Sequence, residues 1–152
     1  MVRALLALAA IAVGATVVLA QSDPNAVRKE FMKTYGKHAY TTLNRMVRDR
    51  MPYDQAKVDE ALAHFAATAA KIPSLFPAGG YQGPVPDSNY YAVAKTFESQ
   101  NDLQARAGKF AKDIADNKDK IKDLAALKAI WPDINKNNCD SCHEAYRLRR
   151  QS

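Results

Sequence analysis

Cys139-Asp140-Ser141-Cys142-His143 holds the only two cysteines in the 152-residue chain and one of its three histidines. The C-x-x-C-H spacing suits covalent attachment of a c-type haem: two thiols form thioethers with the porphyrin vinyls, and the adjacent imidazole is positioned to ligate the iron. Two other chemistries use a C-x-x-C pair. A structural zinc takes about four N or S ligands, and beyond this motif only His38 and His64 offer nitrogen, neither at finger-like spacing. A redox dithiol of the thioredoxin sort sits in a βαβ pattern, which the chain lacks. One covalently attached haem c, with its iron, is the expected cofactor.

The compartment fits that chemistry. Arg3 precedes an apolar run from Ala4 to Ala20 that ends Val18-Leu19-Ala20. The run is short for a membrane span and lacks positive residues after it, so it reads as a secretory signal cleaved after Ala20, with an uncleaved anchor as the alternative. The expected organisation is residues 1–20 as signal and 21–152 as one mature domain, with no transmembrane span left after cleavage. Export to the periplasm matters because haem attachment of this type happens outside the cytoplasm, where an unmodified C-x-x-C pair would tend to close into a disulfide.

The whole chain has 22 Lys and Arg against 16 Asp and Glu; removing Arg3 leaves 21 against 16, a net charge of +5. This mild excess is spread along the chain. It favours steering towards redox partner proteins with acidic docking surfaces, or towards anionic membrane surfaces. No basic and aromatic constellation suggests nucleic acid.

Periodicity is helical in every long segment, and no stretch alternates with period two for long enough to predict a strand. Asp23 and Pro24 read as the cap and first turn of a helix with its stripe at Met32, Gly36, Ala39, Leu43 and Met46, ended by Pro52. Asp54 caps a second helix with Val58, Ala61, Leu62, Phe65 and Ala69 inward. Four prolines and three glycines between Ile72 and Ser88 make one long loop. A third helix is expected from about Asn89 to Asn117 and a fourth from about Asp119 to Arg149, kinked or split at Trp131-Pro132. The fold class is all-α, an up-down-up-down four-helix bundle whose C-terminal helix carries the haem-attachment motif.

In such a bundle the first and last helices are antiparallel. Met32, about eight residues into the first, and His143, about seven before the end of the last, both lie roughly 10–12 Å from the same end. Met46 shares Met32's face but lies about 21 Å further along, too far to reach the same iron. His38 falls roughly 120° off Met32's stripe at 100° per residue, and His64 falls with Lys57 and Glu60, so both are expected to be solvated surface histidines. Met32 is then either the second axial ligand, a thioether that favours ferrous iron, or core filler beside a large flat cofactor. Arg28, one turn before it, could pair with a haem propionate, and Gly36, one turn after, would leave room for the porphyrin.

A signal segment, four helices and a haem motif near the C-terminus resemble the cytochrome c-prime family. The resemblance is carried by Arg28-Lys29-Glu30-Phe31-Met32-Lys33, Pro52-Tyr53-Asp54, Leu75-Phe76-Pro77-Ala78-Gly79, and Cys139 to His143 followed by Glu144, Tyr146 and Arg147. High-spin members have an apolar residue where this chain has Met32, leaving five-coordinate iron able to bind or scavenge nitric oxide. Low-spin members have methionine there, and this chain resembles them. The resemblance implies a periplasmic electron carrier with His/Met ligation, monomeric or homodimeric, with Arg147 flanking the proximal face. A haem enzyme such as a peroxidase is the remaining alternative, and the residues do not support it: no histidine is placed for distal acid–base work, and a methionine cap would block peroxide, so no enzyme is expected.

Overall fold

The computed structural model describes residues 23–85 and 88–149; the expected signal segment lies outside the described residues. Helix α1 (Pro24–Gly36) starts where the sequence predicts, with Pro24 at its first position and the Asp23 side chain accepting the N–H of Asn25 at 3.0 Å. The same helical path widens into a π-helical segment, Lys37–Leu43, and finishes as α2 (Asn44–Val47). It stops at Val47, well before Pro52. Asp49 takes the left-handed conformation (φ 55°) and donates its N–H to Met46, while Arg50 donates to Arg45, the paired hydrogen bonds of a Schellman ending.

Asp54 caps α3 (Gln55–Thr68) by accepting the N–H of Lys57 at 3.2 Å, and Val58, Ala61, Leu62 and Phe65 form its buried stripe. Short 3-10 turns, Ala69–Lys71 and Pro73–Leu75, lead into the long loop. There Gly79 has φ +72° and Gly80 donates to the carbonyl of Pro77, a turn that holds Phe76 against Phe97. The third helix starts later than predicted, as α4 (Ala94–Glu98), and after a break at Ser99 continues as α5 (Gln100–Asn117). The fourth begins at α6 (Leu124–Ile134), capped by Asp123, and runs through a second π-helical segment, Asn135–Asp140, into α7 (Ser141–Tyr146). Pro132 does not split it. The wider winding follows three residues after the missing backbone donor.

Residues expected to extend the last helix are instead strand. β1 (Tyr90–Ala92) pairs antiparallel with β2 (Arg147–Arg149), Tyr91 opposite Leu148. Three residues per strand are too few to show period two in a sequence, so the expectation of no strand is corrected here. The carbonyl of Tyr146 also accepts the N–H of Val93 at 3.2 Å and the hydroxyl of buried Thr96 at 3.0 Å. These bonds tie the end of the fourth helix to the start of the third.

The four helical columns form the predicted all-α bundle: α3 packs on the first column and on α5, and α6 packs on α5 and α2. Trp131 sits at its centre, fully buried, stacked on Phe65 at 5.7 Å with planes 4° apart and donating Nε1–H to Asn44 Oδ1 at 2.7 Å. Lys128 bridges to Asp49 at 2.7 Å, and Tyr40 donates to Asp140 at 2.9 Å. Partners that descend along the first helix as they ascend along the fourth fix the two as antiparallel. No helix among the described residues is long and apolar enough to cross a membrane.

Candidate haem site

Beyond the contact between Tyr40 and Asp140 the first and fourth helices separate, and a largely apolar cavity of about 400 Å³ opens between them. From α1 its wall takes Arg28, Met32, Tyr35 and Gly36; from the fourth column, Cys139, Cys142, His143 and Tyr146; Arg147 of β2 closes one side. A Cβ built on Gly36 would meet nothing within 4 Å, so the turn after Met32 leaves the space free. Phe76, Phe97, Leu103 and Tyr146 form a second apolar cluster beside the main core. Met32 and Cys142 both pack against it.

The site's electrostatics suit a covalently anchored cofactor held by a neutral imidazole. Burial pushes the Cys139 thiol up to about 12, and burial also raises Cys142. A redox dithiol needs the opposite, a lowered thiol pKa. His143 is held down to about 4, first by burial and then by the Arg147 cation, and its Nδ1 is enclosed without a hydrogen-bond partner. A neutral imidazole in a dry wall is the form that ligates metal. The zinc alternative has no support, since among the described residues no group of three or more His, Cys, Asp or Glu is gathered to hold an ion. The residues present therefore fit haem: two thiols and an imidazole on one wall, a thioether on a neighbouring wall, and apolar rings between.

The charged residues in the cavity wall are Arg28, Lys29, Lys33, Arg106 and Arg147, all cationic. Arg28 is buried, with Nη1 donating to the Leu75 carbonyl at 3.0 Å, Nη2 donating to Asn25 Oδ1 at 2.6 Å, and its guanidinium 5.2 Å from the Phe97 ring centre. Arg147 lies 4.4 Å over the exposed Tyr90 ring. On the far side of the second cluster, Arg106 donates to Asp102 at 2.7 Å, and the Tyr146 hydroxyl donates to the same carboxylate.

Cys139, Cys142, His143, Met32, Arg28 and Arg147, singled out from sequence, thus all line one cavity. Met46 is fully buried in the main core, remote from that wall as its distance along the helix requires. The expectation that His38 and His64 are solvated is overturned. His38 is only 6% exposed and its ring lies 4.7 Å from that of His64, which is half-buried. The phase was correct, since His38 does point away from Met32's stripe. That flank is covered by α3 rather than by water. Thr96 and Arg106 are site residues that sequence reasoning missed. Thr96 interrupts an apolar pattern with one buried hydroxyl, and the i,i+4 pair Asp102 and Arg106 reads as a plain helix-surface ion pair.

Comparison with known proteins places these features in a family. The family model described as Cytochrome C′ matches residues 23–147. The chain is 33% identical to cytochrome c-555 of Bradyrhizobium diazoefficiens over 98% of this chain and 99% of that one. It is 35% identical to cytochrome c-556 of Rhodopseudomonas palustris over 97% of each. The solved structure of oxidised cytochrome c556 from R. palustris covers 86% of this chain and 100% of its own with a TM-score of 0.73. With a haem-attachment motif, a cavity to receive the ring and a match along the whole bundle, the chain belongs to the cytochrome c′ family, whose cofactor is covalently attached haem c with its iron.

Proposed function

We propose that this protein is a single-haem electron carrier in which Cys139 and Cys142 form the thioether links and His143 and Met32 are the axial ligands of iron. The observation that supports this reading is that Met32 shares one cavity with all three motif residues. Bound there, haem supplies a one-electron ferric/ferrous couple, and a thioether opposite an imidazole raises its potential. The chain's part is positional. The C-x-x-C pair anchors two points of the ring edge, burial keeps the His143 imidazole neutral, and Phe76, Phe97 and Leu103 exclude water from the faces. Arg28, fixed by Leu75 and Asn25, is a buried cation in the wall that would pair with a propionate, a charge-assisted contact that orients the ring. Arg147 flanks the His143 side.

Lys29, Lys33 and Arg147 at the cavity wall give redox partners with acidic surfaces a complementary rim. The working place is the periplasm, reached by cleavage after Ala20. The chain acts as a carrier rather than an enzyme: its two other histidines pack behind Tyr35, away from any position for distal acid–base catalysis. The test is the ferric absorption spectrum of the haem-loaded protein, including the near infrared. A low-spin spectrum with a sulfur-to-iron charge-transfer band supports the reading; a high-spin spectrum without that band refutes it and leaves Met32 as core filler in a gas-binding protein.

A further inference from the structure

Behind the cavity wall two histidines from neighbouring helices meet ring against ring at a tilt. His38, in the π-helical segment, and His64, on α3, have ring centres 4.7 Å apart and planes 32° apart. Nε2 of His64 is enclosed and unpartnered. Tyr35 connects this pair to the site. It lines the cavity, meets the His64 ring edge-on at 5.4 Å, and its hydroxyl is 2.8 Å from that of Thr68, which donates to the His64 carbonyl at 2.6 Å. One aromatic ring therefore separates a titratable pair from the space a haem fills.

Two imidazoles in such close contact accept one proton far more readily than two, because the second would set like charges together with little water between them. The charged and titratable groups facing the pair are few. Glu60 on α3 favours protonation of both rings, and Lys37 beside His38 opposes it. Burial opposes it at both. Tyr35 faces them from α1 with its own proton held up to about 12, chiefly by burial, so it stays neutral throughout.

We propose that the His38–His64 pair is a proton-binding site coupled to the redox state of the haem, so that each reduction draws a fraction of one proton onto the pair. The proposal rests on the presence of haem in the cavity, as in the proposed function. One electron comes from a one-electron donor and lowers the charge of the site by one. One proton comes from water and forms an N–H bond on an imidazole of the pair; oxidation returns both. For unit charges on the order of 15 Å apart at an effective dielectric of about 20, the added electron tightens proton binding about sixfold, and salt reduces this to about threefold. At 59 mV per tenfold for one electron, the midpoint potential falls by about 30–45 mV as pH rises through the titration and is level on either side. The reduced protein holds the proton more tightly, so its titration lies at the higher pH. Since burial depresses both rings, the window lies on the acid side of the ordinary histidine value of about 6.5.

The experiment is a potentiometric titration of the haem-loaded protein between about pH 4.5 and 8, repeated for Glu60→Gln and for the double variant His38→Gln, His64→Gln, with the histidine ring resonances of wild type followed by NMR in both oxidation states. The proposal predicts a fall in wild type, a window moved to lower pH in Glu60→Gln, and a level potential in the double variant that lacks both imidazoles. The His38 and His64 resonances should titrate at higher pH in the ferrous protein. A slope that survives the loss of both imidazoles assigns the effect to the haem propionates and overturns the proposal, as do ring titrations identical in the two states. Glu60 is exposed, so its variant keeps the test alive should the double variant fail to fold. A level wild-type potential beside a His/Met spectrum sinks this inference alone, whereas a high-spin spectrum with the slope intact sinks only the Met32 assignment.

Discussion

Replacing Cys139 and Cys142 together by alanine removes the covalent anchors and should leave the cavity unfilled. Its volume is about 400 Å³. At about 24 cal/mol per Å³ of unfilled core the penalty is about 10 kcal/mol for a closed void, and about half that for one open to water along one side. Either figure is a large share of the 5–15 kcal/mol that stabilises a domain of this size. The loss is local. Phe76, Phe97, Leu103 and Tyr146 line the void, whereas Trp131 and Phe65, with the bond to Asn44, belong to the main core outside its wall. The variant should keep most of its far-ultraviolet helical signal, lose near-ultraviolet fine structure and melt broadly at a much lower temperature. Circular dichroism of the variant beside the haem-loaded protein measures this. A cooperative melt within a few degrees of the holoprotein, with near-ultraviolet bands intact, would refute the view that the ring is part of the core.

Phe65→Ala should cost about 3–5 kcal/mol in denaturant unfolding of the holoprotein, because Phe65 is fully buried and its ring meets Trp131, Phe110 and Tyr35. Trp131→Phe keeps most of that packing but leaves Asn44 Oδ1 without its donor, an expected loss of about 1–3 kcal/mol by the same measurement. Asp123→Ala removes the cap on the Ala126 N–H and should cost about 1 kcal/mol without altering the spectrum. Tyr146 and Arg106 hold the Asp102 carboxyl below its ordinary value of 3.8. Stability from that cluster is full above this value and fades as pH falls through the lower folded one, so Asp102→Asn should flatten the acid limb of a stability–pH curve.

The features legible in the sequence were those set by local chemistry. Asp23, Pro24 and Asp54 announce helix starts because a side-chain acceptor and a proline fit there for reasons contained within four residues. The C-x-x-C-H spacing is a covalent requirement and survives any tertiary context. Met32's place followed from helix rise and antiparallel topology alone, although the last helix ends at Tyr146, three residues after His143, rather than about seven. What was not legible depends on partners distant in sequence. The strand pairing joins Tyr91 to Leu148 across the whole of the third and fourth helices. The π-helical segments change the winding without changing composition. The Schellman ending uses Asp49 where glycine is usual, so Pro52 read as the stop. His38 was misjudged because helical phase gives direction and is silent on what covers that direction.

The central claim is that Met32 ligates the iron, and Met32→Ala tests it most directly. In the haem-loaded variant the account predicts a change from a low-spin to a high-spin ferric spectrum, loss of the near-infrared sulfur band, a lower midpoint potential, and ready binding of carbon monoxide to the ferrous form. A wild-type protein that is already high-spin, and that binds carbon monoxide as fast as Met32→Ala does, would contradict it.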